Sequence, residues 1–272
     1  MKDGIAIAKA KMSFNLAKNN KHHYDDVRGT RMKFTLKALA VAAAATMSTM
    51  AFADGSTSPH SISGNIGVLS SYDLRGITNT PENEGATVQG GLDYEHESGF
   101  YLGYWGSSLG DAYSPSALEH DFYLGYNGSF NDDWGFQVGG VQYVYTNTDD
   151  SDGFEVVLGL SYKDFGITSQ TLVKDVVWGN AGDTYLAASY SYALPKDFSL
   201  NTTLGAYIYE DKGKYIDETE ASTFSFRHFT VGLSKPIADT GVTASMDFIA
   251  GGYDRMETKQ KNKVVFGLGY SF

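Results

Sequence analysis

The chain has 272 residues, a formal net charge of −11, 31 Gly, 19 Tyr, 16 Phe and no Cys. The lack of Cys excludes a disulfide framework and thiolate metal sites. The acidic balance excludes a nucleic-acid surface, which needs Lys and Arg to neutralise phosphate. Abundant Gly disfavours helix and abundant Tyr and Phe favour half-buried strands. Beyond residue 53 no run of about 18 apolar residues offers a transmembrane helix, but a membrane barrel hides its apolar content in alternation.

Residues 1–30 show no readable periodicity. Next come a short basic region (Arg31, Lys33, Lys37), a mostly apolar stretch over 39–50, and the small-x-small site Ala51-Phe52-Ala53. These are the three parts of a secretory signal peptide. The expected organisation is therefore a start-site artefact or extended n-region at 1–31, a signal peptide at 32–53, and a mature barrel at 54–272. Cleavage after Ala53 removes nine Lys/Arg and three Asp/Glu, leaving 12 basic and 29 acidic residues and a formal charge of −17.

The mature part breaks into about twelve alternating segments, which predict strands. In the first half they fall at 62–77, 86–96, 100–108, 118–130, 134–145 and 154–162. The second half has 165–173, 184–194, 198–208, 224–233, 242–250 and 263–272. The first is expected to carry Ile62, Ile66, Val68, Tyr72 and Leu74 on one face. In the fifth, the apolar phase switches from Trp134, Phe136 and Val138 to Val141, Tyr143 and Tyr145, which suggests a bulge at Gly139-Gly140. The tenth is apolar on both faces. Short links (97–99, 131–133, 163–164, 195–197, 235–240) alternate with longer polar ones (78–85, 109–117, 147–152, 175–183, 210–221, 251–262). Outer-membrane barrels sort their links in this way, with short periplasmic turns and longer outer loops. The expected fold class is all-β: a transmembrane antiparallel up-and-down barrel after a cleaved signal peptide, in the outer membrane of a Gram-negative bacterium.

The last segment, KVVFGLGYSF, places Phe266, Leu268, Tyr270 and Phe272 on one face. A strand with no tail frays unless it is paired on both sides, so this strand is expected to close the barrel onto the first. Its alternating aromatics resemble the C-terminal signal of outer-membrane proteins read by the barrel-assembly machinery, which makes that machinery an expected partner beside outer-membrane lipid and small solutes. Tyr94, Phe130, Trp134, Tyr162, Tyr192 and Phe198, near strand ends, would form an interfacial girdle on the turn side.

Charged residues fall on the opposite parity, where a wet lumen can hold them. The candidate pore-lining set is Asp73, Arg75, Asp93, Glu95, Glu119, Asp121, Glu155 and Asp247. Rings of charged side chains set pore selectivity, and so many acids favour cations. Asp73 and Arg75, two apart on the first segment, read either as part of a constriction or as an ion pair that locks strand register. Arg227 is a second candidate base in the lumen.

Two stretches carry a family resemblance: SSYDLRGIT at 70–78 and QGGLDYEHESGFYLGYWGSSL at 89–109. They resemble a proteobacterial porin family sometimes called the TorF family. The resemblance covers 61–109 most specifically and implies an outer-membrane barrel and a channel, with no substrate specified.

A lipid hydrolase needs a nucleophile and a base in reach; His96, His120 and His228 are candidate bases, and Ser70, Ser107 and Ser108 candidate nucleophiles, but no G-x-S-x-G or compact Ser/His motif occurs. Asp149, Asp150 and Asp152 share a loop without EF-hand spacing, so no metal and no cofactor is expected. A non-conducting structural or adhesive barrel is the main alternative to a channel.

Overall fold

The computed structural model describes residues 58–79, 85–109, 117–217 and 222–272. The expected signal peptide and the preceding residues 1–31 lie outside the described residues. Twelve strands follow in order: β1 His60–Leu69, β2 Thr87–His96, β3 Phe100–Ser108, β4 Leu118–Ser129, β5 Trp134–Tyr145 and β6 Gly153–Tyr162. The second half comprises β7 Phe165–Leu172, β8 Thr184–Ala193, β9 Ser199–Ile208, β10 Phe224–Pro236, β11 Val242–Gly251 and β12 Lys263–Ser271. Each pairs antiparallel with its sequence neighbours, and β1 pairs with β12, so the sheet closes. Closure pairs the backbone groups of every strand on both sides, which is the condition for a sheet surrounded by hydrocarbon.

The alternation has a direct structural cause. Outward positions are apolar and solvent-exposed in isolation: Ile62, Ile66 and Val68 on β1, Phe122 and Leu124 on β4, Phe266 and Leu268 on β12. Inward positions are small, polar or aromatic with a hydroxyl, joined by a set of buried apolar residues that includes Leu69, Trp105, Val141, Val157 and Ile249. Near the short turns the outer aromatics meet in pairs. Trp134 and Tyr162 have ring centroids 4.8 Å apart, and Phe165 and Tyr190 are 4.5 Å apart.

The terminal Phe272 has a specific seat. Its carbonyl accepts from Gly64 N at 2.8 Å and its own N–H donates to Gly64 O at 2.9 Å. The ring lies over Gly64, where a Cβ would stand 2.6 Å from Phe272 Cζ. A larger residue at that position would have to push the Phe272 ring and the Leu92 side chain aside.

Two expectations need correction. The first strand does not run to residue 77: it ends at Leu69. Arg75 (φ +50°) and Gly76 (φ +72°) then turn the chain back, with Leu74 bridging Ile77. Asp73 and Arg75 are therefore not on a strand. Second, β5 has no bulge at Gly139-Gly140, because Gly139 pairs Gly125 and Gly140 pairs Leu124 in unbroken register. Its apolar phase switches because Val141 and Tyr143 point into a packed interior and are buried. The register shift falls instead on β10, between Phe226 and His228. The extra residue keeps Phe224, Phe226 and Phe229 outward while Arg227 and His228 are both buried, which explains why β10 reads as apolar on both faces.

Candidate functional site

Residues 70–79 form a strap that folds into the barrel. Its first end is held by β12. Ser70 N donates to Phe266 O at 2.8 Å, Phe266 N to Ser70 Oγ at 2.9 Å, and Lys263 Nζ to Ser71 Oγ at 2.5 Å. Its far end is held by the β11–β12 loop. Thr78 N and Asn79 N donate to Gln260 Oε1 at 3.1 and 3.2 Å, and Thr78 Oγ1 donates to Lys261 O at 2.5 Å. At the turn, Gly76 lies against His228, where a Cβ would sit 2.4 Å from the His228 Cβ.

Between these anchors Arg75 reaches across the lumen. Its guanidinium donates to Glu155 Oε1 at 2.8 Å and Oε2 at 2.5 Å. It also donates to Tyr207 Oη at 2.7 Å, to Tyr143 Oη at 3.2 Å and to Gln170 Oε1. Glu155 on β6 and Gln170 on β7 stand half-way round the twelve-strand ring from β1. The guanidinium also lies 4.9 Å from the centre of the Tyr185 ring. Bidentate pairing and ring contact use the planar shape that distinguishes Arg from Lys. Beside it, Tyr72 of the strap donates to Glu119 Oε2, and Tyr145 donates to Glu119 Oε1 at 2.7 Å.

At the level of the strap the inward side chains are packed and buried. Glu119 is 0% exposed, Glu155 1%, Asp121 4% and Arg75 7%. Leu69, Thr87, Trp105, Leu172, Ile249 and Val265 are buried with them. The opposite, turn-side half is more open. Asp93 is half-buried there and Glu95 exposed, with Tyr123 donating to Asp93 Oδ1.

The structure thus divides the candidate pore-lining residues. Asp73, Arg75, Glu119, Asp121, Glu155 and Asp247 lie in the packed half, and Asp93 and Glu95 in the open half. Asp73 and Asp121 each have a buried carboxylate oxygen, Oδ1, without a hydrogen-bond partner. Arg227, at the β10 bulge, donates to the strap carbonyl of Arg75 at 3.4 Å and to Tyr253 O at 3.2 Å. The residues that sequence reasoning missed as site residues are Tyr72, Tyr143, Tyr145, Gln170 and Tyr207. Tyr143 and Tyr145 carry one signal, the phase switch in β5 that marks aromatic side chains turned inward; Tyr72, Gln170 and Tyr207 carry none.

Outside the barrel wall the long loops brace one another. Arg255 pairs with Asp183. Asp175 accepts from Ala181 N at 2.8 Å and Lys214 N at 2.9 Å, and these backbone N–H groups hold its carboxyl below the usual carboxylate range. Asp150 accepts from Tyr215 Oη at 2.5 Å and Asp152 from Tyr145 N at 2.9 Å.

The candidate Ser and His residues do not form a nucleophile–base pair. His228 bonds Tyr185 and Thr230, His120 bonds Tyr104, and His96 bonds Ser98 within a turn. Ser70 Oγ accepts from the backbone of Phe266, Ser107 Oγ donates to Ser108 O, and Ser108 Oγ accepts from Val88 N.

Among solved structures, the KdgM porin is similar in fold, at 10% identity and a TM-score of 0.50, over 77% of this chain and 98% of that one. The NanC porin matches at 11% identity and a TM-score of 0.46, over 77% and 98% of the two chains. Outer membrane phospholipase A from Escherichia coli matches at 14% and 0.42, over 76% and 94%. The likeness to the KdgM porin is one of fold alone. No curated protein matches by sequence. The family model described as "Bacterial protein of unknown function (Gcw_chp)" matches residues 53–272, and the chain belongs to that family.

Proposed function

We propose that the protein is an outer-membrane channel for small solutes, that its path favours cations, and that the strap holds it shut in the state described. The single observation that carries this reading is the polar cross-brace of Arg75 on Glu155 in the lumen. A barrel that served only as a wall could fill its interior with apolar side chains at less electrostatic cost, because burying an ion pair is at best a weak source of stability. A polar brace can instead be released into water, and the strap is held by hydrogen bonds at both ends. Once it swings aside, the path is lined by Glu119, Asp121, Glu155 and Asp247 and leads to Asp93 and Glu95. Close-set carboxylates in a narrow path concentrate cations. The likeness of residues 70–78 and 89–109 to the TorF-type porins supports the same reading. So does the fold shared with the KdgM porin.

On this reading the mature chain begins at Asp54, is delivered by the signal peptide, and is inserted by the barrel-assembly machinery through its closing strand. A second reading, a non-conducting structural barrel, draws on the burial of the whole strap-level layer. Planar-bilayer recording separates the two. The channel reading expects rare openings in the native protein and frequent cation-selective openings in Glu155→Gln. Silence from both proteins would leave the structural barrel.

A further inference from the structure

We infer that His60 and His96 form a two-histidine site for a divalent transition-metal ion on the turn-side rim of the barrel. His60 opens β1 and His96 ends β2, and the two are paired directly across the strands. Just beyond the pair, Glu97 N donates to Pro59 O at 2.8 Å. That bond marks His60 and His96 as a non-hydrogen-bonded pair, the arrangement in which opposed side chains of an antiparallel sheet stand closest. Their ring centres are 5.1 Å apart. His60 is exposed and His96 half-buried, so an ion can reach the pair from water.

Each ring has one nitrogen engaged and one free. His60 Nδ1 lies 2.7 Å from Tyr94 Oη. His96 Nδ1 lies 2.8 Å from Ser98 Oγ, and Ser98 N donates to it at 3.1 Å. Among the described residues neither Nε2 has a hydrogen-bond partner. A metal on Nε2 leaves Nδ1 protonated. Each Nδ1–H then donates to an oxygen already in place, Tyr94 Oη or Ser98 Oγ, and the Ser98 N contact is given up. Such outer partners fix the tautomer and orientation of a ligating His. The ring spacing also fits one shared ion. With metal–nitrogen bonds of about 2.0–2.1 Å, two ring centres stand about 4.5 Å apart at a right angle and about 5.2 Å apart at a tetrahedral angle.

The donor set decides the class. Imidazole suits copper, nickel and zinc, whereas calcium and magnesium take oxygen ligands. Among the described residues no group of three or more His, Asp or Glu side chains is arranged to hold a metal ion. Water therefore fills the remaining positions, unlike a closed structural zinc site with four protein ligands. Two imidazoles and water follow the general order of affinity, in which copper(II) binds more tightly than zinc. The other described histidines are engaged elsewhere: His228 has both ring nitrogens bonded, and His120 bonds Tyr104. The bound ion ties the start of β1 to the β2–β3 turn. Both rings share the outward parity of Ile62 and Tyr94, so the site stands apart from the channel reading.

The test uses tag-free protein extracted from membranes into detergent and titrated with copper(II) chloride, then with zinc chloride as competitor. One equivalent of copper per chain is expected. Its electron paramagnetic resonance spectrum should show coupling to two imidazole nitrogens, and zinc should displace it. His60→Asn and His96→Asn each keep a polar group near the Nδ1 position and remove one ligand. Each should weaken binding at least about tenfold, the lower end of what losing even an outer partner costs, and reduce the coupling to one nitrogen. His120→Asn should change neither. Should a variant not fold, NMR of the native protein reads the site directly: substoichiometric copper should broaden the ring protons of His60 and His96 ahead of those of His120 and His228. No saturable copper binding would overturn the inference. So would a one-nitrogen spectrum in the native protein, equal broadening of all four rings, or binding that survives unchanged in both variants.

Discussion

Arg75→Met removes the guanidinium of the strap while keeping most of the side chain's length. In the native lumen the guanidinium makes two bonds to Glu155 and one each to Tyr207, Tyr143 and Gln170. Its loss leaves Glu155, 1% exposed, as a buried carboxylate without its counter-ion. Breaking a buried pair from one side costs about 3–5 kcal/mol. Glu155→Gln breaks the same pair from the other side and strands the guanidinium, so its cost should be of similar size. The double variant removes both charges and should lose little more than either single variant, giving a coupling of more than about 1 kcal/mol. Equilibrium unfolding in urea, with the barrel in lipid vesicles and Trp fluorescence as the signal, measures all four proteins. Losses that add to within about 0.5 kcal/mol, the behaviour of independent sites, would show that Arg75 and Glu155 do not hold each other, and the brace would fall with them.

Four further outcomes are expected. Gly76→Ala, at φ +72° and against His228, should loosen the strap, read as faster proteolysis at residues 70–79 in the folded barrel. Deleting Phe272, or replacing Gly64 with Leu beneath its ring, should slow assembly more than shortening an outer loop, read as loss of the heat-modifiable band in detergent gels. Asp175, held low by two backbone N–H groups, stabilises the loop brace above the ordinary carboxylate value of about 4. That contribution disappears as pH falls through its depressed value, so pepsin should cut loops 173–183 and 209–217 increasingly below pH of about 4, and Asp175→Asn should remove the pH dependence. N-terminal sequencing of protein extracted from membranes should begin at Asp54; a chain that retains Lys33 would sink the export argument.

The closed barrel was legible because its two strongest signals are independent. Period-two alternation marks the strands, and the sorting of short and long links gives their up-and-down order. The closing strand was readable from Phe266, Leu268, Tyr270 and Phe272, whose outward parity the β1–β12 register reproduces. The strap was not legible, for a physical reason. Tyr72 and Leu74 continue the alternation of β1, and nothing local shows that Arg75 and Gly76 adopt left-handed conformations. The reading of β5 failed for the same cause. A bulge at Gly139-Gly140 would keep Val141 and Tyr143 on the apolar outer face, as a wet lumen requires. The strap fills that lumen, so aromatic residues turn inward to pack and bond with it. The ambiguity of β10 marked a true irregularity at Arg227, but alternation alone could not say which residue was extra.

The most direct test of the central claim is a planar-bilayer recording in a salt gradient, comparing the native protein with Arg75→Met. The account predicts a mostly closed native barrel and a variant that opens often, with a reversal potential of the sign set by cations. The preference should weaken as salt shortens the Debye length from about 10 Å at 0.1 M to about 3 Å at 1 M. Silence from the variant, or a reversal potential set by anions, would contradict it.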